Sequence, residues 1–377
     1  MRVAHVMKVV RMAGAERHLL MLLSGLRERG VDAQIILLVE PKTPMDDFVA
    51  QAAARDIPVG RVPIYSDVDV ALMGRLGAAF AEMKPDVAHT HLLHADVFGI
   101  PTARLGRVPV VVTSRHNDNR FRRRLPIRWT NRALWHQVDA GIAISEAVRR
   151  FCVEVEGAPL DKLCTIYYGL EQKPDAARRS ADRATFRAEL GADRDTALVG
   201  MVSRLIEQKG VQYGLEAFAQ VAPKFPNARL VIAGEGNLRP SLESKAAALG
   251  LGDRILFLGW REDVTRVFAG LDIFLMPSLW EGLGLVLLEA MAQRLPVIAS
   301  RVSAIPEVVI DGETGILVPP RDVPALVTAL DTLLADAPLR QHMGLLGEDR
   351  LEQQFGAERM VDQTLALYEQ CIGRRRR

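Results

Sequence analysis

Short apolar runs rich in valine and isoleucine alternate with amphipathic stretches along nearly the whole chain, a pattern that leaves few folds open. Strands buried on both faces read as continuous β-branched runs, and parallel neighbours need a crossover of a dozen or more residues. The alternation therefore calls for parallel sheets covered by helices on both faces. In the first half the strand-like runs are Val3 to Val9, Ala33 to Leu38, Val59 to Val62, Val87 to Thr90, Val110 to Ser114, Ala140 to Ala143 and Cys164 to Tyr167. Helical patterns fit at Glu16 to Arg29, Asp46 to Arg55, Val70 to Met83, Ile127 to Val138 and Glu146 to Cys152. The period fades in the polar, proline-containing segment Glu171 to Ser180, which reads as a domain junction. A second series follows, with strands at Ala197 to Val202, Arg229 to Ala233, Ile255 to Leu258, Ile273 to Met276, Pro296 to Ala299 and Gly315 to Val318. The expected fold class is α/β, two Rossmann-like doubly wound domains with ligands in a cleft at their C-terminal strand edges.

The 377 residues suffice for two cores, and 49% hydrophobic with 25% charged residues is the balance of a soluble globular protein. No apolar run approaches the ~20 residues that span a bilayer. Met1 leads straight into a strand-like run without a secretory cleavage site, and Cys152, Cys164 and Cys371 lack metal-like spacing. These features suit a cytoplasmic location. The net charge of +2 hides an uneven distribution: nine arginines and one acid, Asp118, lie between Arg104 and Arg132. The stretch Arg120 to Arg132, with Phe121 and Trp129 interleaved, suits peripheral contact with an anionic membrane at its inner face or a phosphorylated acceptor, or equally a solvated helix face. Nothing in the pattern calls for nucleic acid. Arg374 to Arg377 reads as a disordered tail.

The second series carries chemistry on the loops after its strands. Glu281-Gly282-Leu283-Gly284-Leu285 follows a strand that ends at Met276, and Gly284 opens a helix through Gln293 with Glu289 in its second turn. Such a helix start favours a phosphate or a growing negative charge, while the two carboxylates reach different parts of one elongated ligand. Ser203 to Gly210 places Arg204 and Lys209 above another strand end, where two cations could meet a diphosphate or simply face solvent. Gly234-Glu235-Gly236 permits close backbone approach or an ordinary turn, and Leu258-Gly259-Trp260 closes the third strand.

Arg204 with Lys209, Gly234-Glu-Gly236, Leu258-Gly-Trp260 and Glu281-x7-Glu289 occur in the order and spacing of the family-4 retaining glycosyltransferases, which the chain resembles over essentially its whole length. The resemblance implies the GT-B architecture, two facing Rossmann-like domains with an interdomain cleft: an acceptor-side domain at 1–171, a donor domain at 172–356, and a segment 357–377 whose helix Ala357 to Cys371 crosses back. It implies a metal-independent enzyme without cofactor that moves a hexosyl group from a nucleotide-diphosphate sugar, a UDP- or GDP-sugar, to a hydroxyl acceptor in polysaccharide or glycolipid biosynthesis. Arg204 and Lys209 would bind the diphosphate, Glu281 the hexose and Glu289 the ribose. The turn Gly282 to Leu285 would meet the diphosphate, and Gly234 and Trp260 would flank the base. His116, in Ser114-Arg-His-Asn117, matches a histidine near the donor sugar and leaving phosphate. Two departures fall on the acceptor side: Ala13-Gly14-Ala15-Glu16 replaces a Gly-Gly-x-Glu run, with Gly14 the remaining flexible position, and Tyr168-Gly169 replaces Asn-Gly.

Competing readings remain. An epimerase or phosphorylase could share the architecture, as could a non-catalytic nucleotide-sugar binder. His89, His91, His94 and Asp96 could ligate zinc in a hydrolase, although polar side chains are expected at the end of a middle strand. Asp67-Val-Asp69 mimics a metal-binding acidic motif but reads better as helix capping, as does Ser145 before Glu146.

Overall fold

The computed structural model describes the chain except Arg11, Ala13, Asp67, Asn119, Gln172, Lys173 and Arg377, and except the side chains of Arg120 and Arg376. The chain divides into two compact units, Met1–Glu171 with Gly356–Arg377, and Gln172–Phe355.

The first unit runs β1 (Arg2–Lys8), α1 (Gly14–Glu28), β2 (Asp32–Val39), α2 (Asp46–Ala53), β3 (Val59–Pro63), α3 (Ala71–Met83), β4 (Val87–His91), α4 (Leu92–Leu105), β5 (Val110–Arg115), α5 (Leu125–Gln137), β6 (Ala140–Ala143), α6 (Glu146–Phe151) and β7 (Leu163–Thr165). Its seven parallel strands lie in the order β3-β2-β1-β4-β5-β6-β7. The second unit runs α7 (Ala176–Glu189), β8 (Ala197–Val202), α8 (Val211–Val221), β9 (Ala228–Ala233), α9 (Arg239–Ala248), β10 (Ile255–Gly259), α10 (Val264–Gly270), β11 (Ile273–Met276), α11 (Leu285–Ala292), β12 (Val297–Ser300), α12 (Ile305–Val308), β13 (Gly315–Val318), α13 (Val323–Ala335) and α14 (Ala337–Gln354). Its six strands take the order β10-β9-β8-β11-β12-β13. Strand order reverses between β1 and β4 in one unit and between β8 and β11 in the other, and such reversals leave a crevice beyond the strand ends. Each unit closes its own core, around Val3, Leu37 and Val110 in the first and Leu215, Ile232 and Leu275 in the second. The expected doubly wound sheets are what the chain forms.

Three elements differ from the sequence reading. Helix α4 has no counterpart in it, because Gly99 and Pro101 interrupt the pattern and the helix is buried on several sides at Ala95, Asp96, Phe98 and Ile100. Half of the polar junction is helical: Asp175 caps α7 by accepting from the Arg178 amide at 2.7 Å. The arginines of α7 reach acids across the unit, Arg179 to Glu348 at 2.7 Å and Arg183 to Asp272 at 2.6 Å, so its polarity is internal pairing. The basic C-terminal run is likewise no disordered tail through Arg376: α15 (Ala357–Arg376) continues, and Arg375 pairs with Asp139 at 2.7 Å. Arg377 lies outside the described residues.

Candidate active site

At the β8/β11 reversal two loops are joined backbone to backbone. The Leu279 amide donates to the Gln208 carbonyl at 2.7 Å, and the Gln208 side chain donates to the Trp280 carbonyl at 2.9 Å. Gly210 makes this possible, since at φ 60° a Cβ there would stand 2.1 Å from the Pro277 carbonyl oxygen. The joined loops bring Lys209, at the end of the turn Glu207–Lys209, onto Glu281, where its ammonium pairs with the carboxylate. Ser278 donates to the same carboxylate at 3.3 Å. Both charged side chains are largely withdrawn from water, 12% and 7% exposed, which strengthens their mutual field. Arg204 lies exposed on the same β8 loop. Gly284, at φ 86°, leads into α11; Gly282 and Leu283 are buried, while Leu285 and Glu289 are half-buried. Helix geometry leaves the Leu285 and Val286 amides at the start of α11 without intrahelical partners, while the Leu287 amide donates to the Gly284 carbonyl at 2.9 Å.

Gly234 admits a neighbouring backbone. At φ 142° a Cβ on it would come 1.9 Å from the Ser203 carbonyl oxygen, and one on Gly236 would come 2.2 Å from that of Leu205. The strand-end glycines after β9 thus let that loop lie against the β8 loop, where the Leu205 amide donates to the Glu235 carbonyl at 2.9 Å. Trp260 follows edge strand β10 with 56% of its surface exposed. The C-terminal edge therefore presents, strand by strand, Trp260, Gly234, Arg204 with Lys209, then Glu281. Three strand spacings cover roughly 14 Å. Ser278 and Gln208 escaped the sequence reading; only their nearness to a strand end marked them.

In the first unit, the β1/β4 reversal holds a group of histidines. His5 lies opposite His89 in the β1–β4 ladder, and His91 follows on the same face of β4. His5 Nδ1 and His91 Nε2 share a hydrogen bond at 2.9 Å, and His91 Nδ1 and His116 Nε2 another at 3.1 Å. His116 Nδ1 in turn bonds the Tyr168 hydroxyl, on which His18 stacks with ring centres 3.9 Å apart. His89 bonds Tyr368 of α15 through Nδ1 at 2.5 Å and Ser114 through Nε2 at 2.7 Å. Burial first, and mutual repulsion second, hold His5, His18, His89 and His116 well below the usual 6.5; burial takes His91 to about 3. All five are neutral near pH 7. Gly14 starts α1, and Ala13 beside it lies outside the described residues.

The zinc set read from sequence is divided. His89 and His91 join His5, with ligand atoms within 4.8 Å of one another, but the ring nitrogens of His89 and His91 are already bonded. Asp96 instead takes hydrogen bonds from Thr90 at 2.7 Å and Thr113 at 2.6 Å and pairs with Arg115. Arg115 also reaches Glu156 at 3.0 Å, which binds Arg122 at 2.6 Å. Burial alone would lower the Arg115 pKa, but Asp96 and Glu156 raise it. Two arginines of the basic segment, Arg115 and Arg122, thus serve the interior. Asp69 lies just before α3, where its side chain accepts from the Tyr65 amide at 3.0 Å and pairs with Arg75 at 2.5 Å, and the Leu72 amide in the first turn of the helix also helps hold its pKa down; Asp67 is outside the described residues. Ser145 does cap α6, accepting from the Val148 amide at 3.1 Å.

Residues 12–172 match the family model described as Glycosyltransferase Family 4, and residues 182–349 match Glycosyl transferases group 1. The chain is 28% identical over 386 residues to alpha-D-kanosaminyltransferase of Streptomyces kanamyceticus, covering 94% of this chain and 99% of that protein. It is 26% identical to the UDP-Gal:alpha-D-GlcNAc-diphosphoundecaprenol alpha-1,3-galactosyltransferase of Escherichia coli, over 97% of this chain and 96% of that one. Among solved structures, Anabaena HepE in complex with UDP and glucose superposes with a TM-score of 0.86 at 21% identity, covering 98% of this chain and all of that one.

Proposed function

The chain belongs to the family-4 glycosyltransferases of GT-B fold, and from that premise we propose that it transfers a hexosyl group from a UDP-sugar to a hydroxyl acceptor, with retention of anomeric configuration and without a metal. The observation that carries this reading is the Lys209–Glu281 pair beside Arg204 and the start of α11, all at the β8/β11 reversal. One ligand chemistry fits cations, a carboxylate and helix amides set side by side: a diphosphate joined to a polyhydroxyl ring. As the bond from C1 to the phosphate oxygen breaks, negative charge grows on the diphosphate, where Arg204, Lys209 and the α11 amides meet it. Glu281 binds ring hydroxyls and faces the positive charge that develops on the sugar. The acceptor hydroxyl attacks the same face and its proton passes to the leaving phosphate oxygen, which balances the reaction without a protein base. Glu289 holds the ribose and Trp260 flanks the base.

Acceptor chemistry follows from an exposed patch on the first unit. Leu125 and Trp129, one helical turn apart on α5, are 65% and 74% exposed, with Phe121 at 39% before them and Arg123, Arg124, Arg128 and Arg132 exposed among them. Apolar tips ringed by guanidinium groups suit an anionic lipid surface, and with it a lipid-linked saccharide or glycolipid acceptor. Of the relatives, the galactosyltransferase is named for a diphosphoundecaprenol-linked saccharide, a lipid-linked acceptor.

A thermal-shift panel of UDP-, GDP- and ADP-sugars tests the donor: UDP-sugars should raise the melting temperature most, and a panel with no shift would sink the assignment. Activity that vanishes in chelator and returns with manganese would refute metal independence. For the patch, the chain should co-sediment with phosphatidylglycerol vesicles at low salt and lose this in Trp129→Ser/Leu125→Ser; equal binding by that variant would discard it.

A further inference from the structure

The histidine group has an orientation as well as a composition. His5, His91, His116 and Tyr168 form one unbranched chain of hydrogen bonds, so the proton positions along it are linked. Only two arrangements satisfy three neutral imidazoles. In the inward one Tyr168 donates to His116, His116 Nε2–H to His91, and His91 Nε2–H to His5, leaving a His5 Nε2–H buried without an acceptor. In the outward one every imidazole carries its proton on Nδ1, His116 donates to the Tyr168 oxygen, and His5 Nε2 is left as a bare lone pair. His5 is 0% exposed, and its Nε2 has no hydrogen-bond partner among the described residues. A buried N–H without an acceptor is the rarer fault. The outward arrangement also frees the Tyr168 O–H to donate elsewhere, on the side where the Glu16 carboxylate is near enough to raise its pKa, after burial itself.

We propose that this relay, with His91 as its positioning residue, locks His116 with its proton on Nδ1, so that His116 meets a ligand oxygen only as a hydrogen-bond donor and never as a base. The lone pair of His116 is on Nε2 and is spent on His91; the group it can offer, by exchanging Tyr168 for a ligand, is the Nδ1–H. The inference rests on the glycosyltransferase reading for the use made of His116, and it accords with a transfer in which the leaving phosphate takes the acceptor's proton. It also argues against the His5, His89 and His91 group being a metal centre, since a cation would displace hydrogen bonds in a fully buried site.

Long-range proton–nitrogen correlation on the uniformly 15N-labelled full chain reads the tautomers directly. The expected result is Nδ1–H on His5, His91 and His116, the rarer form of the free side chain, with no common titration above about pH 6. Nε2–H on His116, joint titration above that pH, or a stoichiometric bound metal would overturn the proposal. His91→Gln removes the Nδ1 donor and should release His116 into mixed tautomers, lowering kcat on the order of tenfold or more with donor KM little changed. His91→Asn, whose amide nitrogen stands near the lost Nδ1, should restore the His116 signal and recover much of that loss. Equal kcat in the two variants would refute the positioning role. If His91→Gln fails to fold, the wild-type tautomers still decide. Intact tautomers in a chain that transfers no sugar would sustain the relay and sink only the use assigned to His116.

Discussion

Lys209 touches Glu281 and shares the β8 loop with Arg204, so its ammonium serves both a carboxylate and the site proposed for phosphate. The two roles separate by mutation. Lys209→Met should lower stability by up to about 3 kcal/mol, because Glu281 is left nearly buried without its counter-charge. Lys209→Met/Glu281→Gln should regain most of that in chemical denaturation, yet turnover should stay down on the order of 10² to 10³, since no oxyanion contact returns. Recovery of turnover in the double variant would show that the pair is only structural. These residues were legible in the sequence because each follows a strand end within a few positions, where a single chain segment fixes the neighbourhood. The neighbours that Gly234 and His5 meet were not. What Gly234 excludes is the Ser203 carbonyl, and what His5 meets is His91, and both facts depend on which strands lie side by side.

At the scale of elements, glycines decide how closely loops approach. Gly234→Ala should shift the β8 loop, lowering the melting temperature and weakening UDP binding together, because the Cβ and the Ser203 carbonyl oxygen cannot occupy places 1.9 Å apart. Calorimetric titration showing wild-type UDP affinity in a folded Gly234→Ala chain would mean that the loop does not hold the nucleotide. Helices α4 and α7 hid from pattern reading for a related reason. Their polar residues pair within the protein, Asp96 with buried Arg115 and Arg183 with half-buried Asp272, so polarity along the sequence did not mark solvent. Helix α15 is held at both ends, by Arg29 on Asp362 at 2.5 Å and Arg375 on Asp139 at 2.7 Å, with the Tyr368–His89 bond between them. Tyr368→Phe should cost about 1 kcal/mol, the usual loss for one buried hydrogen bond, measured by urea unfolding.

Over the whole molecule the neutral histidines lie in one unit, and acid should therefore act on the two units unequally. Each of His5, His18, His89, His91 and His116 has a folded pKa below its unfolded value, so the unfolded chain binds protons that the folded cluster refuses. Their contribution is intact above about pH 6.5 and is lost as the pH falls toward the depressed folded values, by up to about 1.4 kcal/mol per pH unit for each histidine. Scanning calorimetry of the full chain at about pH 7.5 and about pH 5.5 should resolve a first-unit transition that drops with acid and a second-unit transition that moves far less. Equal shifts of both would refute the assignment. The first unit is also discontinuous in sequence, closing only with Gly356–Arg377. During synthesis its sheet emerges early while Tyr368, one of the two partners of His89, has yet to be made, so the nascent first unit must wait for the whole of the second to leave the ribosome before Tyr368 can seat. A stalled or clipped polypeptide ending at Phe355 would carry a finished second unit and an unsealed first, open along the side that α15 covers.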